Sequence, residues 1–214
     1  MRNRPPGRLE ELVRPPRCAL LVIDMQRDFC DPALARRDIS MTLEMMPRLI
    51  GLMDAARQAS VPVIHIRTEH PESTDSDVFL QGPRWSGEPR TPLCRPGSIG
   101  AEFAPGFDPL EGETVVTKHR YSGFIGTNLA LILRSMDIRT IVTAGVQTNN
   151  CVDATARDGM MLDHFLVFVG DATGTYDRAL HDATLVTIAM HYGEVVSTDE
   201  LIGAWGQAPA PSNS

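Results

Sequence analysis

Residues 18–24 read Cys-Ala-Leu-Leu-Val-Ile-Asp, six apolar residues in a row that end on a carboxylate. An unbroken apolar run of this length reads as a strand covered on both faces. The signature returns in Val61–Arg67 (VPVIHIR), Thr114–Lys118 (TVVTK), Arg139–Gly145 (RTIVTAG), Phe165–Gly170 (FLVFVG) and Glu194–Thr198 (EVVST). Helical spacing fills the intervals. Met46, Leu49, Ile50 and Met53 predict a helix to about Gln58, with Pro47 near its first turn or at a kink. Leu129, Ile132, Leu133 and Met136 mark a second, residues 150–162 a third, and Leu185, Ile188, Ala189 and Tyr192 a fourth, stopped by Gly193. Strands alternating with helices define an α/β protein: three layers, α/β/α, around a mainly parallel six-stranded sheet.

The 214 residues suit one domain, here 18–205, with a Pro/Arg-rich leader (1–17) expected to be flexible and a tail (206–214) expected to be disordered. Net charge is −7, from 20 basic and 27 acidic residues without a basic cluster, so nucleic acid and anionic membrane surfaces are not expected partners. No apolar run is long enough for a membrane helix, and no secretory apolar segment follows the leader. Four scattered cysteines without a C-x-x-C pair support neither a disulfide framework nor a redox site; a cytoplasmic protein is expected. Residues 68–112 show no clean period, which fits a pocket wall or lid better than a linker.

In such sheets chemistry gathers at the carboxyl ends of the strands. Three ionisable residues fall there: Asp24 ends the first strand, Lys118 the third, and Cys151 opens the helix after the fourth. A cysteine in a first helical turn feels the free N–H groups, which is expected to lower its pKa and favour the thiolate. A carboxylate can take the thiol proton and return it to a leaving group, while an ammonium beside it keeps the pair poised. Each has a structural alternative: a small buried hydrophobe, a turn former, a solvated cation. Their shared placement favours function.

The segments LLVIDMQRDF (20–29), VVTKHRYSGF (115–124) and TAGVQTNNCVDATARDG (143–159) resemble the isochorismatase-like cysteine hydrolases, over roughly Cys18 to Trp205. The resemblance implies a Rossmann-like isochorismatase fold and a catalytic Asp24–Lys118–Cys151 triad that needs no cofactor. It also implies a cis peptide at Val146–Gln147, with the backbone N–H groups of Gln147 and Cys151 as oxyanion hole; an ordinary strand-to-helix turn is the alternative. The expected reaction is amide hydrolysis through a Cys151 thioester, with release of ammonia.

Within the family, nicotinamidases carry an Asp-x-His metal motif after the second strand. Thr68 stands where that Asp would be, so His65 and His70 read as strand-face and loop histidines, and no metal is expected. Retention of Cys151 argues against isochorismatase itself. KHRYSGF with TNNCV and ARDG is closest to ureidoacrylate- and carbamoyl-type amidohydrolases, which implies a small ureido or carbamoyl substrate. Tyr121 sits where that group places a pocket tyrosine, and Gln147 differs from its usual small residue, so its side chain is a candidate for holding the substrate tail. Phe29 reads as pocket wall or core, Arg120 as a carboxylate clamp or surface contact, and Trp85 as a lid or subunit contact. Cys18, Cys30 and Cys94 read as structural. The family implies a homodimer or homotetramer. Nucleotide binding is disfavoured because no Gly-rich loop follows the first strand, whereas a non-catalytic member of the fold remains the outside alternative.

Overall fold

A computed structural model describes residues 9–81 and 91–206; Trp85 and the tail beyond Gly206 lie outside the described residues. In chain order the elements are α1 (Leu9–Leu12), β1 (Cys18–Ile23), α2 (Arg27–Cys30), α3 (Ser40–Gln58), β2 (Val63–Thr68), α4 (Asp77–Gln81) and β3 (Thr114–Lys118). They continue as α5 (Leu129–Ser135), β4 (Thr140–Val146), α6 (Asp153–Met161), β5 (Phe165–Gly174), α7 (Arg178–His191), β6 (Glu194–Val196) and α8 (Thr198–Gly206). Within the six-stranded sheet every strand pairing is parallel, in the order β3-β2-β1-β4-β5-β6. The chain starts in the middle of the sheet, winds outward to β3, and returns to β4. A crevice therefore opens above β1 and β4, where the winding reverses.

Alternation along β1 builds both cores. Cys18, Leu20 and Val22 meet Leu49, Leu52, Met53, Leu201 and Trp205 on one face. Ala19, Leu21 and Ile23 meet Leu129, Leu133, Ala156 and Ile188 on the other. All six β1 residues are buried, as the apolar run requires.

Several boundaries differ from the sequence reading, β5 among them, which runs on to Gly174. The packed region begins before residue 18: α1 and the fully buried Val13 join the core that holds Trp205, so burial of one valine and its neighbours orders part of the stretch read as a flexible leader. Helix α3 starts at Ser40, with Pro47 inside it. Buried Thr42 and Met45 anchor its first turns, offsetting the hydrogen bond a proline cannot donate. Thr42 comes close because Gly174 lacks a side chain there; an added Cβ would lie 3.0 Å from the Thr42 Cα. Helix α8 carries a local start signal that the sequence reading passes over, a capping box in which the Ser197 hydroxyl accepts the Glu200 N–H at 3.3 Å and the Glu200 carboxylate accepts the Ser197 N–H at 2.8 Å; the Asp171 carboxylate adds hydrogen bonds from the N–H and hydroxyl of Thr198 at 2.8 and 2.9 Å.

Candidate active site

Strand β1 stops at Ile23, and Asp24 turns with φ +54°, a left-handed conformation that is uncommon for a residue with a side chain. Two backbone bonds hold it there, Asp24 N–H to the Ile66 carbonyl (2.8 Å) and Gln26 N–H to the Asp24 carbonyl (2.7 Å). Gln26 locks the corner. It is fully buried; its amide nitrogen donates to the Thr68 and Ala101 carbonyls, both at 2.9 Å, and its oxygen accepts from the Thr68 N–H at 2.8 Å. Its partners lie 42 and 75 residues away, so no local pattern could have marked it.

Lys118 ends β3, two strands from Asp24, in register with Thr68. Its fully buried side chain crosses to donate to Asp24 Oδ2 at 2.8 Å, to Cys151 Sγ at 3.4 Å and to the Arg120 carbonyl at 3.2 Å. One ammonium thus touches both a carboxylate and a thiol. Asp24 is 1% exposed, and its Oδ1 accepts no aligned hydrogen bond among the described residues.

Cys151 sits in a π-helical turn, Thr148–Val152, directly before α6. The Val146–Gln147 peptide ahead of it is cis, and Gly145 before that has φ +117°. Only glycine fits at 145, since an added Cβ would fall 2.1 Å from the Ile23 carbonyl oxygen. Side-chain hydroxyls brace the turn. Thr148 pairs with His181 Nδ1 at 2.9 Å, and Thr175 donates to Asn149 Oδ1 at 2.6 Å. The Thr155 hydroxyl donates to the Cys151 carbonyl at 2.7 Å and accepts the Gly123 N–H at 2.9 Å, tying the loop after β3 to the cysteine.

Burial governs the protonation of all three groups. It raises the Asp24 carboxyl, against the opposing pull of Lys118. It works against the Lys118 ammonium, yet Asp24 and Cys151 more than compensate and hold that group above its ordinary value. The Cys151 thiol is pushed up to about 12, by burial first and by Asp24 as well, with Lys118 pulling the other way. The expected fall in the cysteine pKa is therefore overturned: desolvation outweighs the helix-terminus field, and the resting group is a thiol.

The other candidates stand on several elements. Phe29 packs partly buried against the α3-side core. Tyr121 is 42% exposed on the loop after β3. Arg120 spends its guanidinium on the His119 and Thr74 carbonyls, at 2.6 and 3.0 Å, and lies 4.9 Å above the Phe79 ring. It lines a cleft of about 420 Å³ with Thr74, Asp75 and Ile125. Gln147 lies in the turn beside the cysteine, where its carbonyl accepts the Asn150 and Val152 N–H groups. Among the described residues no three His, Cys, Asp or Glu side chains come together as a metal site. Thr68 is instead bound to Gln26, and buried His70 packs on Phe79 with its pKa lowered to about 4 by burial and by Lys118 and other nearby cations.

A doubly wound parallel sheet with a buried ionisable cluster at its switch point defines an α/β protein with a candidate active site at its strand ends. An Isochorismatase domain matches residues 18–200, and the chain belongs to the isochorismatase family of hydrolases. It is 32% identical over 219 aligned residues to ureidoacrylate amidohydrolase RutB of Caulobacter vibrioides, covering 94% of this chain and 97% of that protein. A cysteine hydrolase from Pseudomonas syringae pv. phaseolicola superposes with a TM-score of 0.79 at 28% identity, covering 96% of this chain and 97% of that one. N-carbamoylsarcosine amidase from Thermoplasma acidophilum gives 0.71 at 26% identity, covering 86% and 97%. Among the described residues no helix is long and apolar enough to cross a membrane.

Proposed function

We propose that this protein is a cysteine-dependent amidohydrolase that cleaves a C–N bond of a small ureido or carbamoyl compound and releases ammonia. The observation that carries this reading is the single buried ammonium of Lys118 in contact with both Asp24 and Cys151. A scaffold has no use for such a cluster, since burying three coupled ionisable groups works against stability. The names of the relatives, amidohydrolase and amidase, point to the same bond.

The proposed steps follow from the protonation states. Cys151 starts as a thiol, so its proton passes to the Asp24 carboxylate as sulfur attacks the carbonyl carbon. The raised pKa of Asp24 suits it to that work: a carboxylate destabilised by burial is a stronger base. Charge on the carbonyl oxygen rests on the backbone N–H groups of Gln147 and Cys151. The C–N bond then breaks, Asp24 returns the proton to nitrogen, and ammonia leaves an acyl group on sulfur. Water loses a proton to Asp24, attacks that carbonyl and frees the acid, and the proton returns to sulfur as the C–S bond breaks. Throughout, Lys118 keeps its charge and offsets the negative charge moving between oxygen and sulfur.

The test is ammonia release from ureidoacrylate, N-carbamoylsarcosine, biuret, maleamate and nicotinamide, with chelator present, by the parent protein and by Cys151→Ala. Release from a ureido or carbamoyl compound, lost in the variant, supports the proposal. Release from nicotinamide or maleamate alone keeps the cysteine chemistry and overturns the substrate class. Undiminished release by Cys151→Ala sinks the mechanism.

A further inference from the structure

We infer that His181 is a positioning residue for the oxyanion: through Thr148 it fixes the direction of the Gln147 backbone N–H that receives charge from the carbonyl oxygen. The inference rests on the cysteine-hydrolase reading above and gives that reading a residue outside the Asp24, Lys118 and Cys151 cluster.

The Gln147 N–H donates to no acceptor among the described residues, although the carbonyl of the same residue accepts twice, from the Asn150 and Val152 N–H groups. A donor left open beside the nucleophile turn suits a developing oxyanion, and its worth depends on where it points. The backbone is clamped on both sides of it. Before it stands Gly145, packed on the Ile23 backbone with no room for a side chain. After it stands Thr148, fully buried, whose hydroxyl pairs with His181 Nδ1 at 2.9 Å. Thr148 also opens the π-helical turn that carries Cys151.

His181 is well placed to hold a direction. It lies in the first turn of α7, where its N–H donates to the Asp177 carbonyl at 3.0 Å and the Asp177 carboxylate caps the helix by accepting the Leu180 N–H at 3.1 Å. The residue is 5% exposed. Burial, with Arg178 beside it, holds the imidazole below its ordinary pKa, against the pull of Asp182. A neutral ring pairs with a hydroxyl in either tautomer. For stability alone an apolar pair of the same shape would serve as well, so the polar pair is explained by direction rather than by strength. His181 also lines a cleft of about 460 Å³ between α3, β5 and α7, beside Arg48 and Arg178. That cleft gives a small molecule a way to the space a truncated His181 would leave.

The experiment sets ammonia release from the best substrate of the panel above against alkylation of Cys151 by iodoacetamide, a displacement that forms no oxyanion. His181→Ala is expected to lower kcat about thirtyfold or more, with KM and the alkylation rate within about twofold of the parent. His181→Asn, whose amide stands where Nδ1 stood, keeps kcat within about threefold, and free imidazole raises kcat of His181→Ala about tenfold. Thr148→Val loses as much as His181→Ala, gains nothing from imidazole, and adds little in the double variant. Acetaldehyde reads the same donor without turnover: sulfur bonds to its carbonyl carbon, and the thiol proton passes through Asp24 to the oxygen. Protecting Cys151 from iodoacetamide should need about tenfold more acetaldehyde in His181→Ala. That shift in a protein that releases no ammonia from the panel overturns the proposed function and keeps this inference. Undiminished kcat in His181→Ala, an equal fall in kcat and alkylation, no recovery with either asparagine or imidazole, or protection that is equal in both proteins or absent from both overturns the inference.

Discussion

The two ends of β3 carry opposite solutions to the same problem. Glu113, just before the strand, faces Arg57 and His65; Lys118, its last residue, faces Asp24 and Cys151. Each end sets a carboxylate against a cation in a place water hardly reaches. Glu113 accepts from Arg57 Nε at 2.8 Å, Arg57 Nη2 at 3.1 Å and the Leu110 N–H at 2.9 Å, and pairs with His65 at 2.9 Å. Burial would raise its pKa, but the Arg57, Leu110 and His65 contacts together hold it down at about 2. Asp24 has Lys118 as its charged partner and one oxygen without an aligned donor, and its pKa is raised. Saturating a buried carboxylate with donors makes a structural clasp, whereas leaving it short raises its pKa and suits it to the base role proposed for Asp24.

The largest effect expected from this contrast is on turnover. Lys118→Met and Asp24→Asn should each lower kcat about a thousandfold or more, and the double variant little further, because groups acting as a unit are not additive. Steady-state ammonia release checks this, and additive losses would break the picture of one coupled cluster. Glu113→Gln should do the reverse: kcat of the folded enzyme is retained while stability falls by about 2–3 kcal/mol in urea denaturation. A loss of kcat there would dissolve the distinction between the ends.

Two pH measurements sharpen it. With the thiol at about 12, alkylation of Cys151 by iodoacetamide should keep accelerating through the alkaline range rather than level off near the ordinary value of 9.0. Lys118→Met should push that profile higher still, since the ammonium is what lowers it. The smallest effect concerns acid. Glu113 has a lowered pKa, so its contribution to stability is complete above the unfolded value of 4.5 and is lost as pH falls toward about 2. The difference in stability between the parent and Glu113→Gln should therefore shrink over that window; a constant difference would mean that the clasp is not ionic.

Much of this was legible in the chain. The apolar runs and the spacings between them carried the sheet, its helices and the placement of Asp24, Lys118 and Cys151 at strand ends, because burial on both faces leaves a local, periodic trace. What failed to leave such a trace was whatever depends on distant partners. Gln26 bonds across 42 and 75 residues, and Thr148 meets His181 across 33. Arg120, read as a carboxylate clamp or a surface contact, bonds to the His119 and Thr74 carbonyls, a side-chain direction that no local spacing encodes.

The amino-acid sequence by itself determined the class of fold and that Asp24, Lys118 and Cys151 stand at or just beyond the carboxyl ends of strands, since the hydrophobic period marks where each strand stops. Only the tertiary structure decided their protonation. A helix terminus argues for a thiolate, yet desolvation argues more strongly for a thiol, and desolvation is a property of everything packed around Cys151 rather than of its neighbours in the chain.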